Sequence, residues 1–544
     1  MDMNRTSGLL YGIVLLLMSH AVFALAQEPV KCGFSEIAAQ HAAAAHDPRG
    51  RSLLLTALAR PSLPFDHITD DGRFKIHYTT TGPDAVNPAS TNPAGVPDFV
   101  YETGRVAQRA YALLVDSLGM RSAADDNGVD GPEFDFYIDN RPNLEYGRTN
   151  LEFVGEGSGP AYIQIDNDFG PGYYTQGLDG LRVTVAHEYF HAVQLNYFFR
   201  DEDLYFFEAC AVWFEDYAYN SINDYYAYLP RWFRSADLPL NTRDQSHEYG
   251  SCIWLHYLIK RLGTVEVVPA LWERLISEPA VFATRHVLQS QPFNLPFDQA
   301  MQEFYNWCFF TNYRADAVKY FAEGANYPLI PFNVSNAFRI TEAASYVSDL
   351  PPLAARYFRF IRTALDLQLR LQVGAEPGRW SLTAITAGAN EEYLLQIDRA
   401  LATIGVTAPD REDTVFVAIA NVGLPPNANQ APVANAELQV GVGAQQDLQN
   451  VLEKPRPNPV RVSQGDILKI PYRIEARTAV ATFIYREDGR VIWSRNFGTL
   501  PAGPHEVIWN GIDNEGDRVG SGVYFVRLVA GDFVDSAKFV LINQ

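Results

Sequence analysis

GLRVTVAHEYFHAVQLNYFFRDEDLYFFEACAVWFED, residues 180–216, reads as two helical segments separated by a charged break, roughly 180–198 and 203–219. At the centre of the first stands His187-Glu188-Tyr189-Phe190-His191. On a helix, positions i and i+4 lie one turn apart on one face, so two imidazoles at this spacing can grip one zinc ion. Glu188 sits beside them, where a carboxylate can take a proton from a zinc-bound water. Catalytic zinc takes three protein ligands and keeps one open position. Glu208, on the second segment, is the candidate third ligand, because a carboxylate in Phe206-Phe207-Glu208-Ala209-Cys210-Ala211-Val212 is costly without a partner. A plain structural ion pair is the alternative for Glu208. Glu215 lies seven residues on and shares its face, and a group so placed more often holds a histidine than binds the metal.

Upstream, Phe74-Lys75-Ile76-His77-Tyr78-Thr79 alternates like a half-buried strand. Pro97-Asp98 opens a helix to about Leu118, and Phe134-Asp135-Phe136-Tyr137-Ile138 and residues 161–166 read as further strands. Downstream, helices are expected at about 248–262, 265–277 and 298–312. From about 340 the period changes to alternation, as in Leu367-Gln368-Leu369-Arg370-Leu371 and Thr414-Val415-Phe416-Val417-Ala418. Residues 424–436 read as a surface loop. The run Glu453-Lys454-Pro455-Arg456-Pro457-Asn458-Pro459 introduces a tail of short strands with Gly turns.

The HExxH motif with a downstream Glu resembles the gluzincin branch of zinc peptidases. Glu208-Ala209-Cys210-Ala211-Val212-Trp213-Phe214-Glu215 is similar to the ligand helix of the aminopeptidase-like gluzincins. Phe74–Tyr78, Gly95-Val96-Pro97-Asp98, Tyr146-Gly147-Arg148-Thr149 and Ile165-Asp166-Asn167-Asp168-Phe169 resemble stations of a family of exported bacterial metalloproteases, over about residues 65–320. The resemblance implies an α+β zincin-like catalytic domain followed by two all-β sandwich domains. It implies zinc on His187, His191 and Glu208, Glu188 as general base, and a protein or peptide substrate. It also implies that the last strand before the motif, 161–166, is the edge that pairs with substrate. Ala209 departs from the usual Gly and Phe207 from the Asn of the thermolysin pattern. No Gly-Ala-Met-Glu-Asn exopeptidase motif is present, which favours an endopeptidase. A catalytically inactive adhesin on a zincin scaffold is the competing reading. Intact His187, Glu188 and His191 weigh against it.

Such a site needs a donor for the oxyanion. Tyr249, in Ser246-His247-Glu248-Tyr249-Gly250, is the candidate, with His247 its rival and a packing aromatic the plain alternative. Asp125-Asp126-Asn127-Gly128-Val129-Asp130-Gly131 has oxygen-rich spacing that could bind calcium, but it lacks the complete EF-hand pattern and a plain polar turn is the preferred reading. The tail, through Trp509-Asn510-Gly511 and Ser521-Gly522-Val523-Tyr524-Phe525, resembles the Ig-like domain of flagellar hook-capping proteins and C-terminal sorting domains. That resemblance implies contact with the cell surface or a secretion machinery.

The division expected is 1–26 signal peptide, 27–64 N-terminal arm or propeptide, 65–340 peptidase, 341–451 β-sandwich and 452–544 Ig-like domain. A chain of 544 residues exceeds one core, and its 47% hydrophobic and 20% charged content is globular. A net charge of −21 argues against nucleic acid as partner. Leu9–Met18 is an apolar run too short for a membrane span, and Ala24-Leu25-Ala26 supplies a cleavage site. No later segment is apolar enough to cross a membrane, so the protein is expected to be secreted or surface-bound. Four cysteines in an exported chain permit disulfides. Cys210–Cys252 is the favoured pair, since both should lie on helices bordering the site. N-terminal sequencing of protein recovered outside the cytoplasm is expected to give a start near Gln27; an intact Met1 on a cytoplasmic product would contradict export.

Overall fold

The computed structural model describes residues 28–44, 60–340, 344–362, 366–373, 379–387, 393–398, 403–406, 414–425, 433, 436–443, 450–474, 478–500 and 503–543. The expected signal peptide and most of the 424–436 loop lie outside these residues. The chain is a multi-domain mixture of helices and several β-sheets.

The first sheet has five strands in the order β1 (Phe65–Ile68), β2 (Phe74–Tyr78), β3 (Phe134–Ile138), β5 (Ala161–Ile165) and β4 (Gly147–Leu151). The three middle strands are parallel, with Ile76 facing Phe136 and Phe136 facing Ile163. Parallel strands need a crossover, and α2 (Asp98–Tyr111) supplies the one between β2 and β3. Its last turn continues as a π-helix over Ala112–Ser117. The strand expected as the edge, 161–166, is interior. After β4 the chain doubles back through residues 152–160, so β4 lies outside β5 and pairs with it antiparallel, Gly147 against Ile165. The sequence of β4, Gly147-Arg148-Thr149-Asn150-Leu151, is too polar to read as a strand.

Two helices lie at the centre. α3 (Gly177–Leu195) is buried without a break from Val183 to Leu195, and α4 (Leu204–Ala218) from Leu204 to Asp216. A helix apolar all round belongs in the core. Further helices complete this body at Leu229–Arg234, His247–Gly250, Ile253–Leu262, Val267–Leu275, Ala280–Gln289 and Phe297–Phe309. The single helix expected at 248–262 is thus two, and Ala280–Gln289 was not anticipated.

The favoured disulfide is absent, and all four cysteines carry free, buried thiols. The reason lies in helix geometry. Cys210 is two residues from Glu208, hence on the opposite side of α4, and its thiol meets Trp272. Cys252 packs on the other side, near Glu215 and Asp216.

Beyond residue 333 two sheets share a core that includes Phe358, Phe360, Leu369, Leu371, Trp380 and Leu438. The outer face of one sheet rests on the helical body. Phe416 lies against Phe309 with ring centroids 5.0 Å apart, and the Tyr357 hydroxyl donates to the Tyr305 carbonyl at 2.7 Å. Residues 451–542 form two more sheets around a separate core of Val460, Ile470, Trp509, Val526 and Phe539. No helix of the described residues is long and apolar enough to cross a membrane.

Because its core is separate, the tail should be dispensable to the rest. A chain ending at Asn450 is expected to keep the near-ultraviolet circular dichroism of the helical body and a cooperative thermal transition. Loss of that transition would show that the tail is part of the same folding unit.

Candidate metal centre

The geometry begins with α3 and α4 side by side. His187 and His191 project from one face of α3 and Glu208 from α4. His187 Nε2 lies 3.0 Å from His191 Nε2 and 3.2 Å from Glu208 Oε2, and His191 Nε2 lies 3.4 Å from the same oxygen. The other nitrogen of each ring is committed. His187 Nδ1 donates to Glu215 Oε1 at 2.7 Å, and His191 Nδ1 donates to Gln194 Oε1 at 2.7 Å. The Gln194 amide is oriented in turn, since its Nε2 donates to the Phe207 carbonyl at 3.1 Å.

The donor roles follow. With protons at both Nδ1 atoms, neutral imidazoles present lone pairs at both Nε2 atoms. Two nitrogen lone pairs and a carboxylate oxygen then converge on one point, which only a cation can satisfy. In metal-free protein a proton fills that role. Burial disfavours the charged form of His187, but Glu208 and Glu215 overcome it and raise its pKa to about 9. Burial likewise opposes ionisation of Glu208, yet the facing imidazoles of His191 and His187 hold its carboxyl well below the usual range. The donor set fits zinc: two imidazoles and a carboxylate, each histidine fixed through its second nitrogen.

Glu188 is fully buried beside them. Its Oε2 accepts from the Thr149 hydroxyl at 2.8 Å, while Oε1 accepts from no nitrogen or oxygen of the described residues. Burial raises its pKa, and His187 and His191 partly offset this. Thr149 reaches it because β4 runs close to α3 at Gly147. A Cβ at Gly147 would stand 2.8 Å from Thr184 Cγ2 and 3.1 Å from Glu188 Cγ, so no side chain fits there.

Tyr249 is buried, and Glu208, Cys32 and Glu188 are among its electrostatic neighbours; together with burial they push its hydroxyl well above the usual tyrosine range. His247, the rival donor, instead stacks on Trp232 at 5.8 Å and neighbours Asp244 and Arg231. The aspartates of the 125–131 loop are already engaged. Asp126 pairs with Arg60 at 2.5 Å and Asp130 with Lys75 at 3.1 Å, and Asp125 Oδ1 accepts from the Asn127 amide.

The N-terminal segment was not anticipated here. The Cys32 thiol faces the Glu188 carboxylate, and Cys32, His187, His191 and Glu208 form one group of ligand atoms all within 4.8 Å of one another. Ser35 Oγ donates to Glu208 Oε1 at 2.7 Å, and Phe34 stacks on His191 at 4.2 Å. Lys31 Nζ meets Glu215 Oε2 at 2.8 Å and Asp224 Oδ2 at 2.6 Å. Those carboxylates keep its ammonium charged against the opposing effect of burial.

No family model matches the chain, and no curated protein matches it. Parts of solved structures do. PorZ, a surface component of the type-IX secretion system of Porphyromonas gingivalis, is 22% identical over 19% of this chain and 14% of its own, with a TM-score of 0.15. Latent PorU from the same organism is 16% identical over 38% of this chain and 20% of its own, with a TM-score of 0.16. The periplasmic lysozyme inhibitor PliG of Aeromonas hydrophila is 10% identical over 20% of this chain and 95% of its own, with a TM-score of 0.16. The chain spans far less than two thirds of PorZ or PorU, and likenesses of this size carry no argument about fold or function.

Gln194 and Glu215 fix the two imidazoles without touching the metal position. Gln194→Ala and Glu215→Gln are each expected to weaken zinc affinity by roughly 10–100-fold, the usual cost of losing such a partner. Calorimetric titration measures it, and unchanged affinity in both variants would show that these contacts do not orient the ligands.

Proposed function

We propose that the protein is a secreted zinc metallopeptidase with a gluzincin-like site on a zincin-type domain, acting as an endopeptidase. The observation that carries the reading is the convergence of His187 Nε2, His191 Nε2 and Glu208 Oε2 on one point, with both Nδ1 atoms already used. His187, His191 and Glu208 would hold the metal. Zinc so held lowers the pKa of a coordinated water to about 7 and polarises a carbonyl.

The chain's own groups do the rest. Glu188 is the proton carrier. Thr149 fixes its Oε2, which leaves Oε1 free to take a proton from the attacking water and pass it to the leaving amine. Tyr249 is the candidate hydroxyl donor to the developing oxyanion. The outer edge of β4 runs beside Glu188, so a peptide added there as a further strand would have its backbone held in register with the base. Export and surface attachment through the tail belong to the same proposal.

Glu188→Gln tests it against a peptide library. The variant is expected to keep its zinc, because no ligand changes, while turnover falls by on the order of 10²–10⁴-fold, the contribution of a positioned base. Tyr249→Phe should also keep zinc and lose on the order of 10²–10³-fold. Glu208→Ala should lose zinc itself. A Glu188→Gln protein that cleaves as fast as the parent would remove the mechanism, and zinc retained by Glu208→Ala would assign the third ligand elsewhere.

A further inference from the structure

The four side chains of the metal group are shut off from water: Cys32 is 4% exposed, His187 1%, His191 0% and Glu208 0%. A site that hydrolyses peptides must admit both peptide and water. Among the described residues, the stretch 30–44 lies across it. This stretch uses the features a substrate would need. Its backbone lies on the outer edge of β4 and the residues before it: the Val30 amide donates to the Leu144 carbonyl at 3.1 Å, the Tyr146 amide to the Val30 carbonyl at 2.9 Å, and the Gly33 amide to the Gly147 carbonyl at 2.9 Å. The pairing is parallel, Val30 opposite Glu145. The fit is close at Gly33, where a Cβ would stand 2.8 Å from Glu145 Oε2 and 2.9 Å from Arg148 Nε. Lys31 enters the Glu215–Asp224 pair, Phe34 covers the His191 ring, and α1 (Phe34–Ala44) continues over β4.

From this placement we infer that residues 30–44 are an inhibitory prosegment whose Cys32 sulfur is the fourth ligand of the metal in the uncleaved protein. The inference rests on the metal reading above and names the group that takes the remaining position. Ligation breaks the S–H bond and forms a metal–sulfur bond. The proton passes to the Glu188 carboxylate, which the thiol faces, and the water that would otherwise hold that position leaves. One bond therefore removes both the nucleophile and the free base. Release reverses the exchange: sulfur regains a proton, Glu188 regains its charge, water enters, and the β4 edge becomes available. The helical body does not need the segment as its anchor, because Arg60 already ties the start of that body to Asp126, Asp135 and Glu152. Cleavage between Ala44 and Arg60 would separate the two.

Cobalt(II) reports the sulfur directly. Full-length protein starting at Gln27 and loaded with cobalt is expected to show a near-ultraviolet thiolate-to-cobalt charge-transfer band. Cys32→Ser should lose the band, retain one cobalt per chain, and cleave peptides without prior processing. Lys31→Met keeps the sulfur but removes the ammonium from Glu215 and Asp224. It should weaken the band and open Cys32 to a thiol reagent under native conditions, which tests the prosegment independently of the serine variant's folding. Cobalt bound with no band, and the band unchanged in Cys32→Ser, would each overturn the prosegment ligand while leaving the three-ligand site standing. A protein that binds no cobalt would overturn both.

Discussion

Two histidines with their Nδ1–H groups already engaged in hydrogen bonds, facing one carboxylate oxygen, set the conditions for everything around them. Glu215 and Gln194 force both Nε2 lone pairs inward. A cation suits the point between them, a proton in metal-free protein or a metal ion where one is bound. The cost of burying Glu188, Glu208 and Glu215 makes sense only in that light, because an uncompensated buried carboxylate is among the more destabilising groups a core can hold. Lys31, drawn into the Glu215–Asp224 pair, answers part of the same excess of negative charge.

The sheet serves this centre through one close approach. Gly147 lets β4 run against α3, and that contact places Thr149 on Glu188. It also sets the outer edge of the sheet next to Glu188. The same edge is where residues 30–33 lie. In the proposed peptidase, closure of the site and recognition of an extended chain would be two uses of one set of backbone donors and acceptors. When the segment leaves, Glu215 keeps His187 and Asp224 keeps the Tyr146 hydroxyl at 3.2 Å, so neither carboxylate is stranded as water enters.

What the sequence discloses follows from how local each signal is. His187, Glu188 and His191 stand out because helix periodicity alone puts them on one face. Glu208 and Glu215 stand out because charges seven apart in an apolar helix need a common partner. Gln194 was accessible by the same logic, three residues beyond His191, but a glutamine carries no chemistry that draws notice. Thr149 and Cys32 act across the sheet and from a distant arm, and no spacing rule links them to α3. The edge strand was misplaced because β4 is polar and its hairpin return is invisible to periodicity. The Cys210–Cys252 pairing failed for a three-dimensional reason: adjacent helices do not ensure facing side chains, and these two thiols point to opposite sides of α4. The helical body and the alternating β regions were legible from period changes. The packing of Phe416 on Phe309, which joins the middle sheets to that body, was not.

X-ray absorption at the zinc edge of stoichiometrically loaded, uncleaved protein addresses the centre most directly. The account predicts one zinc per chain with a four-coordinate shell: two imidazole nitrogens and one carboxylate oxygen at about 2.0–2.2 Å, and one sulfur at about 2.3 Å. Replacing His187 or His191 with alanine should abolish stoichiometric loading. Failure to bind zinc, or a shell of oxygens alone that survives both alanine substitutions, would contradict the assignment of this cluster as a metal centre.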